Sequence, residues 1–200
     1  MGILVRKRPL LLAIGTLVVA LLFCPVIIAF AQPQVGSPLP DFKLPLPERA
    51  ADKAYLGLTT EGPFTIAQIK AQVVIIEIFS MYCPYCQREA PEVNRLYHMI
   101  ENDPTLKGAI KLIGIGAGNT LFEVQVFKDK YKVPFPLFSD EDFTFHKAFG
   151  EVRTPFFIGV RINDDKTHRV FYAKLGGTEG AESFVKLMLR LSGLEQEKKP

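Results

Sequence analysis

Val73-Val74-Ile75-Ile76-Glu77-Ile78-Phe79-Ser80-Met81-Tyr82-Cys83-Pro84-Tyr85-Cys86 is the stretch on which the reading of this chain turns. Its first seven residues are apolar except Glu77 and rich in β-branched side chains, the pattern of a strand covered on both faces. From Pro84 the period changes. Ala90, Val93, Leu96, Tyr97 and Ile100 recur at three and four residues and predict one face of a helix over 84–101. Pro84 suits the first helical turn, where a missing N–H costs nothing. Pro91 falls inside the helix and predicts a kink, and Asn102-Asp103-Pro104 ends it. Two cysteines spaced Cys-x-x-Cys therefore sit where a buried strand turns into a helix.

That position has chemical consequences. The attacking species in thiol–disulfide exchange is a thiolate, and unpaired N–H groups at a helix N-terminus favour one. Cys83, at the N-cap, is the expected nucleophile, and Cys86, one turn further in and more buried, the resolving thiol. The bland alternative is a pair of core cysteines. The resolving thiol must lose a proton. His98 lies about three helical turns beyond Cys86, too far along the axis, and His146 and His168 fall in other elements. Two carboxylates are better placed: Glu77, six residues before Cys83 in an apolar strand, and Glu89, one turn after Cys86. Burial would raise the proton affinity of Glu77 and suit it to proton transfer near neutral pH. The competing readings are an exposed strand position for Glu77 and a solvated helix face for Glu89. Thr154-Pro155, opening a later strand, is the third part. The proline is either an ordinary edge feature or a cis residue exposing a backbone edge beside the sulfurs.

Outward from this centre, residues 1–31 read as a targeting segment. Arg6-Lys7-Arg8 is a positive flank, and Leu10 to Ala31 carries no charge. Ala29-Phe30-Ala31 has the small-x-small form of a signal-peptidase site, yet 22 uncharged residues also suffice for a bilayer, which needs about 20. A cleaved signal and a retained anchor through residues 10–31 both put the rest of the chain in the periplasm or another extracytoplasmic space, because the basic flank stays inside. Cys24 lies within this segment as an apolar filler. Residues 32–53, with five prolines, predict an extended lead-in. A globular domain is expected over 54–193 and a charged tail over 194–200. Within the domain, short strands are expected at Ala54–Leu58 and, as strand or turn, at Phe64–Lys70. After the central helix come a strand at Lys111–Ala117, a helix from a Thr120 cap to Tyr131, a strand at Leu137–Ser139 and a short helix at Asp142–Phe149. A hairpin of Phe156–Ile162 with Arg169–Leu175 follows, then a last helix at Ala181–Leu191. Alternating elements followed by a hairpin predict an α/β fold: a mixed central sheet with helices on both faces.

Composition narrows the function classes. The chain has 24 Lys and Arg against 21 Asp and Glu, and three of the basic residues precede the folded part, so 21 basic residues face 21 acidic ones. A neutral domain without a basic stripe has no footprint for nucleic acid. One cysteine pair is neither a disulfide scaffold nor, with three scattered histidines, a closed zinc site. Gly114, Gly116 and Gly118 do not have dinucleotide-loop spacing; they read as a strand end where the active-site loop passes close. No cofactor or metal is implied.

The arrangement resembles the thioredoxin superfamily, and within it the TlpA/ResA-like periplasmic thiol–disulfide oxidoreductases. The carriers are Val-Gly-Ser-Pro-Leu-Pro-Asp-Phe at 35–42, Cys83-Pro84-Tyr85-Cys86, Glu89 with Pro91, Tyr131-Lys132-Val133-Pro134-Phe135-Pro136, Phe149-Gly150 and Thr154-Pro155. The resemblance spans about residues 35–193. It implies a thioredoxin-like fold with an N-terminal extension and, at 104–134, a central insertion. By it Pro155 is a cis-proline facing the disulfide, Glu89 matches the acid that tunes ResA-like sites, and Glu77 stands where thioredoxin has a buried Asp. Tyr82, Pro84, Tyr85, Thr154 and Pro155 would form the substrate surface. The implied partners are oxidised proteins, with apocytochrome c a family-typical target, and a transmembrane thiol carrier of the DsbD/CcdA type as electron donor. The chain departs from the pattern in Tyr82, where Trp is usual, in Glu77, where TlpA-like proteins often have Asn, and in its glutaredoxin-like Pro-Tyr. These bear on a reduction potential that ranges from roughly −270 to −120 mV across such proteins. A peroxiredoxin-like peroxidase shares the Pro-Asp-Phe start and a Ser three residues before the first Cys, but Ile76 stands where its Pro is expected. A thioredoxin-like assembly module without catalysis is the third reading.

Overall fold

Strand β1 (Val73–Phe79) has all seven residues buried. It is the centre of a five-stranded sheet of order β3-β2-β1-β4-β5, seen in a computed structural model that describes Gly2 and residues 32–197. The expected signal or anchor at 1–31 and the last three residues lie outside the described residues. β2 (Ile110–Ala117) runs parallel to β1, and β3 (Leu137–Asp140) parallel to β2. On the other side β4 (Phe156–Ile162) and β5 (His168–Leu175) form an antiparallel hairpin. Two parallel connections and one hairpin make this a mixed α/β sheet, as the alternation of elements predicts, and a thioredoxin-like fold, as the resemblance implies.

Because side chains alternate across a strand, β1 feeds two cores. Val74, Ile76 and Ile78 pack with Leu39, Leu44, Phe64 and Phe149. Val73, Ile75 and Phe79 pack on the opposite face with Cys86, Ala90 and Val93 of α2 (Pro84–Asn102) and Phe184 and Met188 of α5 (Ala181–Ser192). Glu77 belongs to this second face and lies beneath α2. Helix α2 runs without interruption past Pro91. It is tied to α5 by Glu92 Oε2, which accepts from Ala181 N (3.1 Å), and by the Arg95–Glu182 ion pair (2.7 Å). Helix α3 (Leu121–Tyr131) begins on the expected Thr120 cap: Thr120 Oγ1 accepts from Glu123 N and the Glu123 carboxylate accepts from Thr120 N. Its Val124 and Phe127 are buried, whereas Leu121 is exposed. Residues 104–134 thus contain β2 and α3.

Three expectations change, and at Phe64–Lys70 the turn alternative holds. Ala54–Leu58 is not a strand: Ala50–Leu56 is helix α1, so residues 50–53 leave the extended lead-in as well. Ala, Lys and Leu favour a helix, and Gly57 ends it in a left-handed conformation (φ 63°), with Gly57 N donating to Ala54 O and Leu58 N to Lys53 O. Phe64–Lys70 is a single bridge from Phe64 to Leu44 followed by a 3-10 turn at Ile66–Gln68. The helix expected at Asp142–Phe149 shrinks to α4 (Thr144–Ala148), because Asp142 spends its carboxylate on Thr144 N and Oγ1. Past α5 a short α6 (Leu194–Glu197) returns Leu194 to the core.

Helix α1 and the lead-in meet the two sides of the sheet. β3 pairs only with Gly114–Ala117, so the first half of β2, paired with β1 on its inner side, has no strand on its outer side. There Tyr55 of α1 accepts a hydrogen bond from Leu112 N (2.9 Å), and Lys111 spans the Tyr55 ring (4.1 Å) and Glu101 (3.1 Å). At the opposite edge Gly36 N donates to Val170 O (2.8 Å) and Val170 N to Ser37 O (2.9 Å), so the lead-in clasps β5.

Candidate active site

The turn from β1 to α2 is held from three sides. Cys83 N donates to Ser80 O (3.0 Å), Gln87 Nε2 to Met81 O (2.7 Å) and Met81 N to Oδ1 of the buried Asn119 (2.8 Å). Cys83 is then the N-cap residue of α2, in extended conformation, with Pro84 at the first helical position. One turn on, Cys86 points into the core below. Both thiols are free. Their environments differ sharply. Cys86 is fully buried, and burial first, then the neighbouring Glu77 and Cys83, pushes its thiol well above the ordinary value against a hydrogen bond from the Ser80 backbone. Cys83 is only partly buried. That partial burial opposes ionisation, but the Thr154 side chain, the Cys86 N–H and thiol and the Tyr85 N–H together outweigh it and lower the Cys83 thiol.

Facing Cys83 is the Thr154–Pro155 peptide, which is cis. The protonated Cys83 Sγ donates to Thr154 O (3.3 Å), and Pro155 O accepts from Gly176 N (2.9 Å). Of the two readings of this proline, the cis one holds, and it sits opposite the reactive sulfur. Glu77 is 3% exposed, and among the described residues its Oε1 has no hydrogen-bond partner. Burial, then the charges of Glu89 and Cys83, lift its carboxyl to about 8. The exposed-strand reading of Glu77 is therefore excluded. Glu89 is not on a solvated face either: its Oε1 accepts from Thr178 N and Oγ1, both at 2.6 Å. A Cβ on Gly177 would lie 2.3 Å from Glu89 Oε2, so the chain after β5 closes over this carboxylate only because residue 177 is glycine.

Two open clefts flank the sulfur, one on each side of Thr154. The first, of about 400 Å³, lies between α2 and the end of β5 and is lined by Tyr85, Arg88, Pro155 and Leu175. The second, of about 480 Å³, lies toward β2 and α4 and is lined by Ser80, Tyr82, Phe143 and His146. Tyr82 and Tyr85 are 64% and 65% exposed, so the sulfur has an aromatic rim that the rest of the described chain leaves open. Tyr82 Oη donates to Glu123 Oε1, which anchors one side of that rim to α3.

A model of the AhpC/TSA family matches residues 35–176. The chain belongs to the AhpC/TSA family. Among its distant relatives is a thiol–disulfide oxidoreductase of the ResA kind. It is 26% identical over 85 residues to the thiol-disulfide oxidoreductase ResA of Halalkalibacterium halodurans; the match takes in 42% of this chain and 46% of ResA, so under half of that protein's length is spanned. Its fold is similar to a candidate thiol:disulfide interchange protein DsbE from Chlorobium tepidum (TM-score 0.59, 14% identity, 81% of this chain and 100% of that one). It is also similar to the thioredoxin domain of a thiol-disulfide oxidoreductase from Bacteroides vulgatus (TM-score 0.55, 13% identity, 78% and 98%).

In this AhpC/TSA chain the expected residues Glu77, Tyr82, Cys83, Pro84, Tyr85, Cys86, Glu89, Thr154 and Pro155 gather at one end of the sheet. Sequence reasoning missed Asn119, Glu123, Thr178 and Gly177, which hold them there. Gly116 is a partial signal for the first. Its Cβ would fall 3.1 Å from Asn119 Oδ1, so the glycine makes room for the side chain that anchors Met81, rather than for the loop itself. His146, set aside because it lies in another element, lines the second cleft, with Nε2 2.8 Å from Val152 O. His98 stays on α2, away from both clefts, as expected.

Proposed function

We propose that this protein reduces disulfides in other proteins on the extracytoplasmic side of a membrane. The observation that carries the reading is the asymmetry of the two sulfurs: Cys83 is accessible with its thiol pKa lowered, and Cys86 is buried with its own raised. The Cys83 thiolate attacks one sulfur of the substrate disulfide. That S–S bond breaks, and the departing sulfur leaves as a thiolate and takes a proton. Cys86 then gives its proton to the Glu77 carboxylate and attacks Cys83 Sγ. The mixed disulfide breaks, the second substrate sulfur departs, and Cys83–Cys86 is left oxidised. Two electrons pass to the substrate, and a transmembrane thiol carrier of the DsbD/CcdA type returns them. Glu89, fixed by Thr178, acts on Glu77 by charge and keeps its proton affinity high. Tyr82, Pro84, Tyr85, Thr154 and Pro155 contact the incoming chain, and apocytochrome c is the target class that the ResA likeness suggests. The basic flank and apolar run at 6–31 support export.

Insulin reduction with dithiothreitol as donor tests the reading. Cys83→Ser should abolish turnover, and Cys86→Ser should trap a mixed disulfide with substrate. Turnover unchanged in Cys83→Ser overturns the assignment. Rapid peroxide consumption in place of insulin reduction would favour the peroxidase. Against that reading, the Ser80 hydroxyl shared with the peroxidases accepts from Asn119 Nδ2 (3.4 Å).

A further inference from the structure

Two arginines stand on the cleft between α2 and β5, and among the described residues neither is committed to an anion. Arg88 lies over the Tyr85 ring at 4.5 Å. Arg153 precedes Thr154, whose carbonyl meets Cys83 Sγ, and it borders both clefts. No described carboxylate lies within ion-pair distance of either guanidinium. The carboxylate that lines this cleft, Glu89, has its Oε1 occupied by Thr178. Pro155 and Leu175 add apolar surface to the wall, and Thr154 and Gly176-Gly177 complete it without a further charge. On the far side of Thr154, the second cleft carries an exposed carboxylate, Glu151. The electropositive side of the site is therefore the α2 side. A planar guanidinium takes a carboxylate through two parallel hydrogen bonds and stacks on aromatic rings, so this pair is suited to acidic side chains as an ammonium is not.

We propose that this cleft selects disulfides flanked by acidic residues: an extended segment with Asp or Glu about two residues from the attacked cysteine, its carboxylate meeting Arg153 or Arg88. The inference rests on the oxidoreductase reading and names its substrate class. Bonds and electrons are those of the exchange given above, and the arginines act on binding alone.

The test uses the pre-reduced full chain in single turnover with three synthetic peptides. Each holds one internal disulfide, flanked by Glu, by Ala or by Lys. The second-order rate constant should be about fivefold to tenfold higher for the Glu peptide than for the Ala peptide, and lowest for Lys, a size expected for two exposed charge contacts. High salt should compress the series. In Arg88→Gln/Arg153→Gln the Glu-to-Lys ratio should fall toward one, and in Arg88→Glu/Arg153→Glu it should invert. Equal rates for Glu and Lys peptides in the unmodified protein overturn the proposal while leaving the oxidoreductase reading intact. So does a preference that survives the double Gln variant. Reduction of none of the three peptides overturns both.

Discussion

Glu77 holds a carboxyl in a fully buried strand beside two sulfurs, and its proton affinity there makes it costly to ionise. Its folded pKa of about 8 lies above the unfolded value of about 4.3. Between those pH values the folded state binds a proton that the unfolded state does not, so stability falls as pH rises through this window and levels off above it. A tenfold change in proton affinity corresponds to roughly 1.4 kcal/mol. Glu77→Gln should therefore raise the urea midpoint, with a small gain near pH 5 and the largest near pH 8, while slowing release of the mixed disulfide about tenfold or more through loss of the base. A midpoint gain independent of pH would contradict the buried-acid account. The Cys83 thiol titrates in the opposite sense. Iodoacetamide alkylation of Cys83 should rise with a midpoint below the ordinary thiol value of about 8.5, and Thr154→Val should move that midpoint upward by removing a group that favours the thiolate. The nucleophile and its partner were legible in the sequence because strand, turn and helix are local patterns. Thr178 was not: it meets Glu89 from 89 residues away, and nothing in either neighbourhood announces the contact.

At the scale of elements, the site depends on where helices begin. α2 starts on Cys83, and α3 starts on a capping box that also fixes Tyr82 through Glu123. Thr120→Ala should cost about 1 kcal/mol, the usual value of an N-cap, and loosen the Tyr82 rim; chemical denaturation measures the first, and tyrosine solvent exposure by NMR the second. Gly177→Ala forces a methyl against Glu89, and should cost about 1–3 kcal/mol by overpacking. The long elements were legible because α2 and α5 carry a strong helical period and β1 is a continuous β-branched apolar run. α1 was not: seven residues are too few to show a period, and the Leu56-Gly57-Leu58 sequence imitates the end of a strand, whereas Gly57 is the helix terminator.

At the scale of the molecule, the lead-in is part of the fold rather than a tether. Leu39 and Leu44 are buried in the core face opposite α2, and the paired bridge of Leu44 with Phe64 fixes their register. Leu44→Ala should lower stability by about 2–5 kcal/mol, the range for a large core truncation, as read by thermal or urea unfolding, with insulin reduction at room temperature retained while the domain stays folded. This dependence was not legible, because a proline-rich run has no period from which burial can be read.

The two hydrogen bonds from Gly36 and Ser37 to Val170 have a separate meaning for how the protein behaves at high concentration. An uncovered outer strand is a template on which another chain can add its own backbone. With the clasp in place, Val170 offers no spare donor or acceptor to a stranger. Removing residues 32–38 should thus appear first as self-association in size-exclusion chromatography, before any loss of secondary structure: the few residues that carry the chain to its catalytic domain also keep one copy from growing onto the next.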